Sequence, residues 1–374
     1  MSEAPYRYEK LSEQAFDALV EIYPTVTVPV EQSPLWARFE AALGRRPYGM
    51  WAYYSRNGAL VATASYLHIS RRFRESLVVV NGPVWFSERT ASAETELMRT
   101  VQSQFARAAG VNPLYVRMQI RHPRLPALGP LEHGWYEREI VVDLEPEEEA
   151  IFKSFRPNAR NSIRRAKRAG IEVVSIPRSE WIEVFRNELY PILEETAARD
   201  NFQSFERSYY EKFMTELGDY VRLLVAYQDR TAVSWLITTE YRGYGVYYFA
   251  GSSHQARKNF APYLLLWEAF RALKAAGNHS CGLTGIVSEN YPQLINVTTF
   301  KRNFSSNVVE LPTTYDIPLH GVRYRILAIL LGLRRGVPVF GGTARRGAGM
   351  LGGLFGGSGR RNAAEGSTDT ERRG

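Results

Sequence analysis

A single cysteine, Cys281, stands among 374 residues. It excludes a disulfide framework within the chain and suits a reducing compartment. Six histidines are scattered so that no two share metal-ligand spacing, and Cys281 has no cysteine partner, so no zinc site is expected. The N-terminus, MSEAPYRYEK, has no apolar stretch and predicts no signal peptide. The apolar run Ile326–Leu333 is far shorter than the roughly 20 residues that span a bilayer. No nucleophile elbow, Walker loop or Ser/His/Asp set is found. Even the positive charge is scarcer than it looks. The chain carries +8, but ten arginines and three acids fall from residue 321 onward. The first 320 residues hold 37 basic and 36 acidic side chains, so any cationic surface there must come from clustering.

What is present is enough for a packed protein: 45% hydrophobic and 13% aromatic residues, in a chain long enough for two domains. A degenerate internal repeat organises it. Residues 49–69 read as strand, turn, strand around Asn57-Gly58, and residues 221–241 repeat that shape around Asp229. Each hairpin precedes a strand (77–80, 246–250), a helix (93–109, 262–276) and one more strand (114–120, 280–286). Both helices end in Ala-Ala-Gly, and Pro262 and Gly277 bracket the second. Hairpin, strand, helix, strand is the core of the acetyltransferase-like fold. The expected class is therefore α/β (α+β), two tandem acetyltransferase-like domains.

We place the first domain at 1–145, completed by residues 312–335, and the second at 146–311. Helices are predicted at 146–155 and 157–169, then two more on either side of Asp200-Asn201. A strand-like piece after Thr313 returns toward the first domain. Residues 336–374, rich in Gly and Arg, read as a disordered tail.

Three constellations could carry chemistry. Arg160, Arg164, Lys167 and Arg168 lie at i, i+4, i+7 and i+8, one helical face. Stacked like charges suit an anion such as phosphate; the plainer alternative is a solvated face paired with Glu147–Glu149. Thr299–Phe304 follows the last strand of the second repeat, near the strand ends where α/β sites open. There Lys301, beside Phe300, could meet developing negative charge; by spacing alone it reads as a surface lysine next to core phenylalanines. Third, the turn from Gly251 to Asn259, with Arg257, lies where coenzyme A-dependent acetyltransferases cradle pyrophosphate on glycine-rich backbone. Residues 252–276 contain no glycine, and Asn81-Gly82-Pro83 in the first repeat is equally unsuited, so coenzyme A is not expected. Tyr247, Tyr248, Phe249 and Tyr263 surround the turn and could line a groove or simply pack.

Taken in order, several segments resemble the Fem (FemA/FemB/FemX) family of peptidoglycan interpeptide-bridge aminoacyltransferases over residues 30–305. They are Gln32-Ser33 with Trp36, Asn81-Gly82-Pro83, and Arg160 to Lys167 with Gly170. Arg199-Asp200 with Phe202, Arg207 and Tyr210 follows, then Gly251-Ser252-Ser253, Pro262-Tyr263 with Trp267-Glu268, and Phe300-Lys301-Arg302. The resemblance implies a tRNA-dependent acyltransferase without metal or cofactor. It would move an amino acid from aminoacyl-tRNA to the stem-peptide amine of a lipid-linked or UDP-linked precursor. Lys301 would stabilise the oxyanion, positioned by Phe300. Arg38 and Arg207 would contact the precursor's phosphates. Tyr210, Tyr248 and Tyr263 would line its groove, with Trp36, Arg257 and Asn259 in the same substrate-binding set. Arg160, Arg164, Lys167 and Arg168 would face the tRNA acceptor end.

A lipid substrate would put the chain in the cytoplasm, peripheral at the inner face of the plasma membrane, with the basic C-terminal tail on anionic lipid. Three departures stand out, one being Ser305 where the family usually has a glycine after the Phe-Lys segment. The family's last strand often reads Asp-Phe-Gly-Gly, whereas here it is Gly282-Leu283-Thr284-Gly285, and no carboxylate follows the Gly-Pro turn closely. The rival readings are an acyl-thioester-dependent N-acyltransferase of the same fold and a non-catalytic cell-wall binding protein.

Overall fold

The computed structural model describes residues 4–71, 74–106, 110–131 and 134–335; the tail at 336–374 lies outside them. The chain begins with β1 (Arg7–Leu11), α1 (Glu13–Glu21), α2 (Pro34–Ala42), β2 (Arg46–Tyr54), β3 (Leu60–Arg71), β4 (Arg74–Val78) and β5 (Val84–Trp85). Next come α3 (Ala91–Phe105), β6 (Tyr115–Ile120), β7 (Arg138–Asp143), α4 (Glu148–Ser154), α5 (Pro157–Arg168), β8 (Glu172–Ser175), α6 (Trp181–Val184), α7 (Tyr190–Asp200) and α8 (Arg207–Leu217). The second repeat holds β9 (Val221–Gln228), β10 (Thr231–Tyr241), β11 (Tyr244–Ser252), α9 (His254–Lys258), α10 (Ala261–Ala275) and β12 (Ser280–Gly285). The chain then continues through α11 (Ile295–Lys301), β13 (Val308–Glu310), β14 (Thr313–Pro318) and α12 (Gly321–Arg335).

The repeat is visible in the pairing. One sheet runs β1-β2-β3-β4-β6-β14, with β5 on β3; the other runs β13-β7-β12-β11-β10-β9-β8. Each sheet is antiparallel except for one parallel pair, β4 with β6 and β11 with β12. A parallel pair needs a crossover, and α3 and α10 supply the two. Local chemistry sets their limits: Thr90 caps α3 by accepting from Ala93 N, and Pro262 sits in the first turn of α10. Gly170, at φ +72°, lies just past α5.

The two halves exchange strands. β7 follows β6 in sequence yet pairs with β12 in the second sheet, while β14 comes back to pair with β6. A boundary at 145 therefore falls beyond a strand that belongs to the second sheet. A buried ion pair secures the return of β14: Arg117 donates to both Asp316 oxygens at 2.7 and 3.0 Å, and Asp316 also accepts from Leu131 N and the Tyr324 hydroxyl. The largest apolar cluster joins both halves. Phe16, Trp36 and Phe39 pack there with Phe185, Tyr209, Phe213 and Trp235.

Candidate active site

An open cavity of about 1550 Å³ lies between the halves. Its walls include residues 27–31, Asn81 and Gln119 from the N-terminal half, and β10, β11, residues 199–205, Tyr263, Thr284-Gly285 and residues 299–301 from the C-terminal half. Drug-sized ligand pockets are typically about 300–1,000 Å³, so the cavity suits a larger substrate.

Lys301 ends α11, lines this cavity and is only 1% exposed. The reading of it as a surface lysine is thereby overturned: α11 turns its last residue inward beneath β12. The Lys301 Nζ donates to Gly285 O at 2.6 Å and to Thr284 Oγ1 at 3.2 Å. Those two acceptors are presented by an irregularity. The ladder between β12 and β7 slips between Gly282 and Gly285, and Thr284 sits at φ +59°. A β-branched residue rarely adopts that conformation, and such strain, on the order of 1–3 kcal/mol, gathers at functional sites. Two of the three ammonium donors are thus used, and the third is available to a bound oxygen. Burial lowers the Lys301 pKa to about 7, with Glu139 opposing the shift.

Phe300 lines the cavity and packs edge-on against Tyr263, ring centroids 5.0 Å apart. The Tyr263 hydroxyl accepts from Asn158 and Asn303. Tyr248 donates its hydroxyl to the buried Glu31 at 2.8 Å, and burial pushes Glu31 above the usual carboxylate range. Tyr210 and Arg257 also line the cavity. Lys301, Phe300, Tyr210, Tyr248, Tyr263 and Arg257 are thus brought together.

The other candidates lie elsewhere. Trp36 is buried in the shared core against Phe39 and Phe213. Arg38 is exposed and pairs with Glu13 at 2.7 Å, and Arg207 pairs with Glu211 one helical turn on. The Asn259 amide is bound to Gln228. On α5, Arg164, Lys167 and Arg168 are exposed and Arg160 half-buried, while Ala159, Ile163 and Ala166 face the core. This face does not pair with Glu147–Glu149: Arg160 donates to Lys153 O, Lys167 meets Glu268 at 3.5 Å, and Arg164 lies over Phe152.

Two motif pairs turn out to be structural joints. The Gln32 side chain donates to Val80 O and accepts from Ser65 N beside Gly82, and Arg199 donates to Ser252 O at 2.6 Å. Sequence reasoning missed Glu31, Glu139, Tyr136 and Tyr244, all lining the cavity. Glu139 lies in β7 and Tyr136 just before it, in a segment the sequence places in the first domain although it pairs in the second sheet, so no nearby signal marks them. Among the described residues, no group of three or more His, Cys, Asp or Glu could hold a metal.

Two tandem acetyltransferase-like halves share a cavity with a buried lysine at its wall, the architecture of the GNAT-like fold class. A family model described as the FemAB family matches residues 132–243 and 236–331, and the chain belongs to that family. Membership of that family supports an acyltransferase role at the family level. A crystal structure of FemX aligns with TM-score 0.70 at 13% identity, covering 86% of this chain and all of that one. The C-terminal domain of a putative lysylphosphatidylglycerol synthetase from Agrobacterium fabrum aligns with TM-score 0.49 at 15% identity, covering 81% and 93%. A tandem GNAT protein from the clavulanic acid biosynthesis pathway gives 0.46 at 11%, covering 84% and 98%. No curated protein matches the sequence.

Proposed function

We propose that the chain moves an amino acid from aminoacyl-tRNA to the stem-peptide amine of a peptidoglycan precursor, lipid-linked or UDP-linked, in interpeptide-bridge formation. The observation that carries this reading is the buried Lys301 ammonium, held by Thr284 and Gly285 at the wall of a cavity large enough for a peptide and sugar. An aminoacyl ester is already activated. Amine attack on it needs alignment and a donor for the oxygen that gains charge, more than a strong base. Lys301, buried at the cavity wall, supplies that donor. Tyr248, Tyr263 and Phe300 supply flat walls for the acceptor, and Arg257 a cation for its phosphate-bearing end.

The exposed basic face of α5 is the surface we assign to the tRNA. The membrane contact we assign to α12. Val322, Ile326, Ile329 and Leu330 are exposed on one face at i, i+4, i+7 and i+8, with Arg323 and Arg325 beside them. Tyr324 meanwhile fixes the opposite face through Gly129 O and Asp316. No helix among the described residues is long and apolar enough to cross a membrane, so the contact would be peripheral. The tail itself lies outside the described residues.

Incubation with individually charged tRNAs and either precursor should yield an extended stem peptide, detected by mass spectrometry. No transfer from any charged tRNA would refute the reading. Transfer from an acyl-coenzyme A instead would establish the thioester-dependent rival.

A further inference from the structure

Gly282 on β12 leaves a space that another side chain fills. A Cβ at 282 would lie 2.6 Å from the Tyr244 hydroxyl and 3.1 Å from Glu139 Oε2. Tyr244 belongs to β11 and Glu139 to β7, the two strands flanking β12. Those strands are nearly 10 Å apart, twice the roughly 4.8 Å inter-strand spacing. The two side chains nevertheless meet across β12, with Tyr244 donating to Glu139 Oε1 at 3.1 Å. Only a residue without a side chain at 282 permits that contact. Glu139 lies opposite Gly285 in the β7–β12 ladder, the residue whose carbonyl accepts from Lys301. Glu139 and Lys301 line one cavity. A carboxylate thus reaches the Gly282 position on β12 from the neighbouring strand.

We propose that Glu139 is the proton acceptor for the amine nucleophile in the transfer reaction. The proposal rests on the reading of the chain as an amine-acylating enzyme. The incoming group is R–NH3+ at neutral pH and has no lone pair to attack with. Glu139 removes one proton, and the freed nitrogen pair forms the C–N bond to the ester carbonyl carbon. The carbonyl π pair moves to its oxygen, where Lys301 Nζ meets it. Collapse of the tetrahedral intermediate breaks the bond to the ribose oxygen, which leaves with the second proton of the nitrogen. The Glu139 proton then passes to water in the cavity. One proton is released per amide formed, and no oxidant or further reactant is needed.

The surroundings suit this task. Glu139 is faced by Tyr244 on β11, Lys301 on α11, Cys281 on β12, Glu31 on the turn before α2, and Tyr136 just before β7. Burial is the largest influence and raises its pKa to about 7, the Tyr244 hydrogen bond and Lys301 oppose that, and Glu31 adds to it. A base poised near the working pH is the efficient choice.

The test is Glu139→Gln, an isostere that keeps the Tyr244 contact, together with Glu139→Ala. In Glu139→Gln, transfer at pH 7 should fall by roughly 100-fold or more, and the acid limb of the pH–rate profile should vanish. Added formate should restore part of the rate in Glu139→Ala, which a merely structural carboxylate would not allow. Rates within about threefold of the unaltered enzyme with an unchanged profile would overturn the proposal. A second readout is independent of turnover: in NMR titration of 13C-lysine-labelled protein, Glu139→Gln should lower the Lys301 pKa, because the carboxylate favours the charged ammonium. An unchanged value would refute the pairing even if the unaltered enzyme were silent toward every charged tRNA. That silence by itself would count against the donor proposed above.

Discussion

Replacing Lys301 with methionine should stabilise the fold near pH 6 while abolishing transfer. The ammonium is 1% exposed and its pKa falls from an ordinary 10.5 to about 7. At about 1.4 kcal/mol per tenfold change in proton affinity, that drop corresponds to roughly 5 kcal/mol held against the native state at low pH. Methionine removes this penalty with little change in volume. It also strips Gly285 O and Thr284 Oγ1 of a donor, at a cost of about 1–3 kcal/mol each when water cannot replace it; both line the cavity, so water can. The net gain near pH 6 should be about 1–4 kcal/mol.

The pH dependence is the sharper test. Between pH 7 and 10.5 the unfolded chain binds the proton that native Lys301 has released, so stability of the unaltered protein rises with pH through that window. The variant lacks this slope, so its advantage should shrink toward pH 10. Urea denaturation of both proteins at pH 6 and pH 10, with transfer rates measured alongside, decides the matter. A stability difference that is the same at both pH values would refute a depressed lysine. Activity within tenfold of normal would refute its role, since loss of one oxyanion donor costs about 100- to 1,000-fold.

Glu139 shifts the opposite way. Its raised pKa means the native state holds an extra proton between pH 4.5 and about 7. Glu139→Gln should therefore remove a fall in stability with rising pH across that range, visible in the same urea series. Asp316→Ala takes away the carboxylate shared by Arg117, Leu131 N and Tyr324. It should cost about 3–5 kcal/mol in chemical denaturation. Ile326→Glu combined with Ile329→Glu should cut sedimentation with anionic vesicles about tenfold or more, leaving zwitterionic vesicles unbound throughout. Equal binding would remove α12 as the membrane contact. Arg164→Glu with Arg168→Glu should weaken tRNA binding and flatten its salt dependence by about one to two phosphate contacts. An unchanged slope in filter binding would place the RNA elsewhere.

Much of the secondary structure was legible from local rules. Asn57-Gly58 marked the first hairpin, Pro262 and Gly277 bounded α10, and Gly170 stopped α5. These signals act over a few residues, through φ restriction, missing donors and capping. Arg38 and Arg207 show the limit of motif reading: the residues sit in recognisable company, yet each guanidinium meets a neighbouring carboxylate, and neither reaches the cavity.

The repeated order of strands and crossover helices, and the line of motifs from Gln32 to Lys301, belonged to the sequence alone. Periodicity and turn chemistry write these on adjacent residues. The pairing of β7 with the second sheet, the burial of Lys301 and the arrival of Glu139 beside Gly282 were decided only in three dimensions. Strand alternation states that a segment pairs, not with which partner. Burial of a lysine depends on groups that packing brings from far along the chain: Glu139 and Tyr244 are separated by 105 positions and meet because the strand between them carries a glycine.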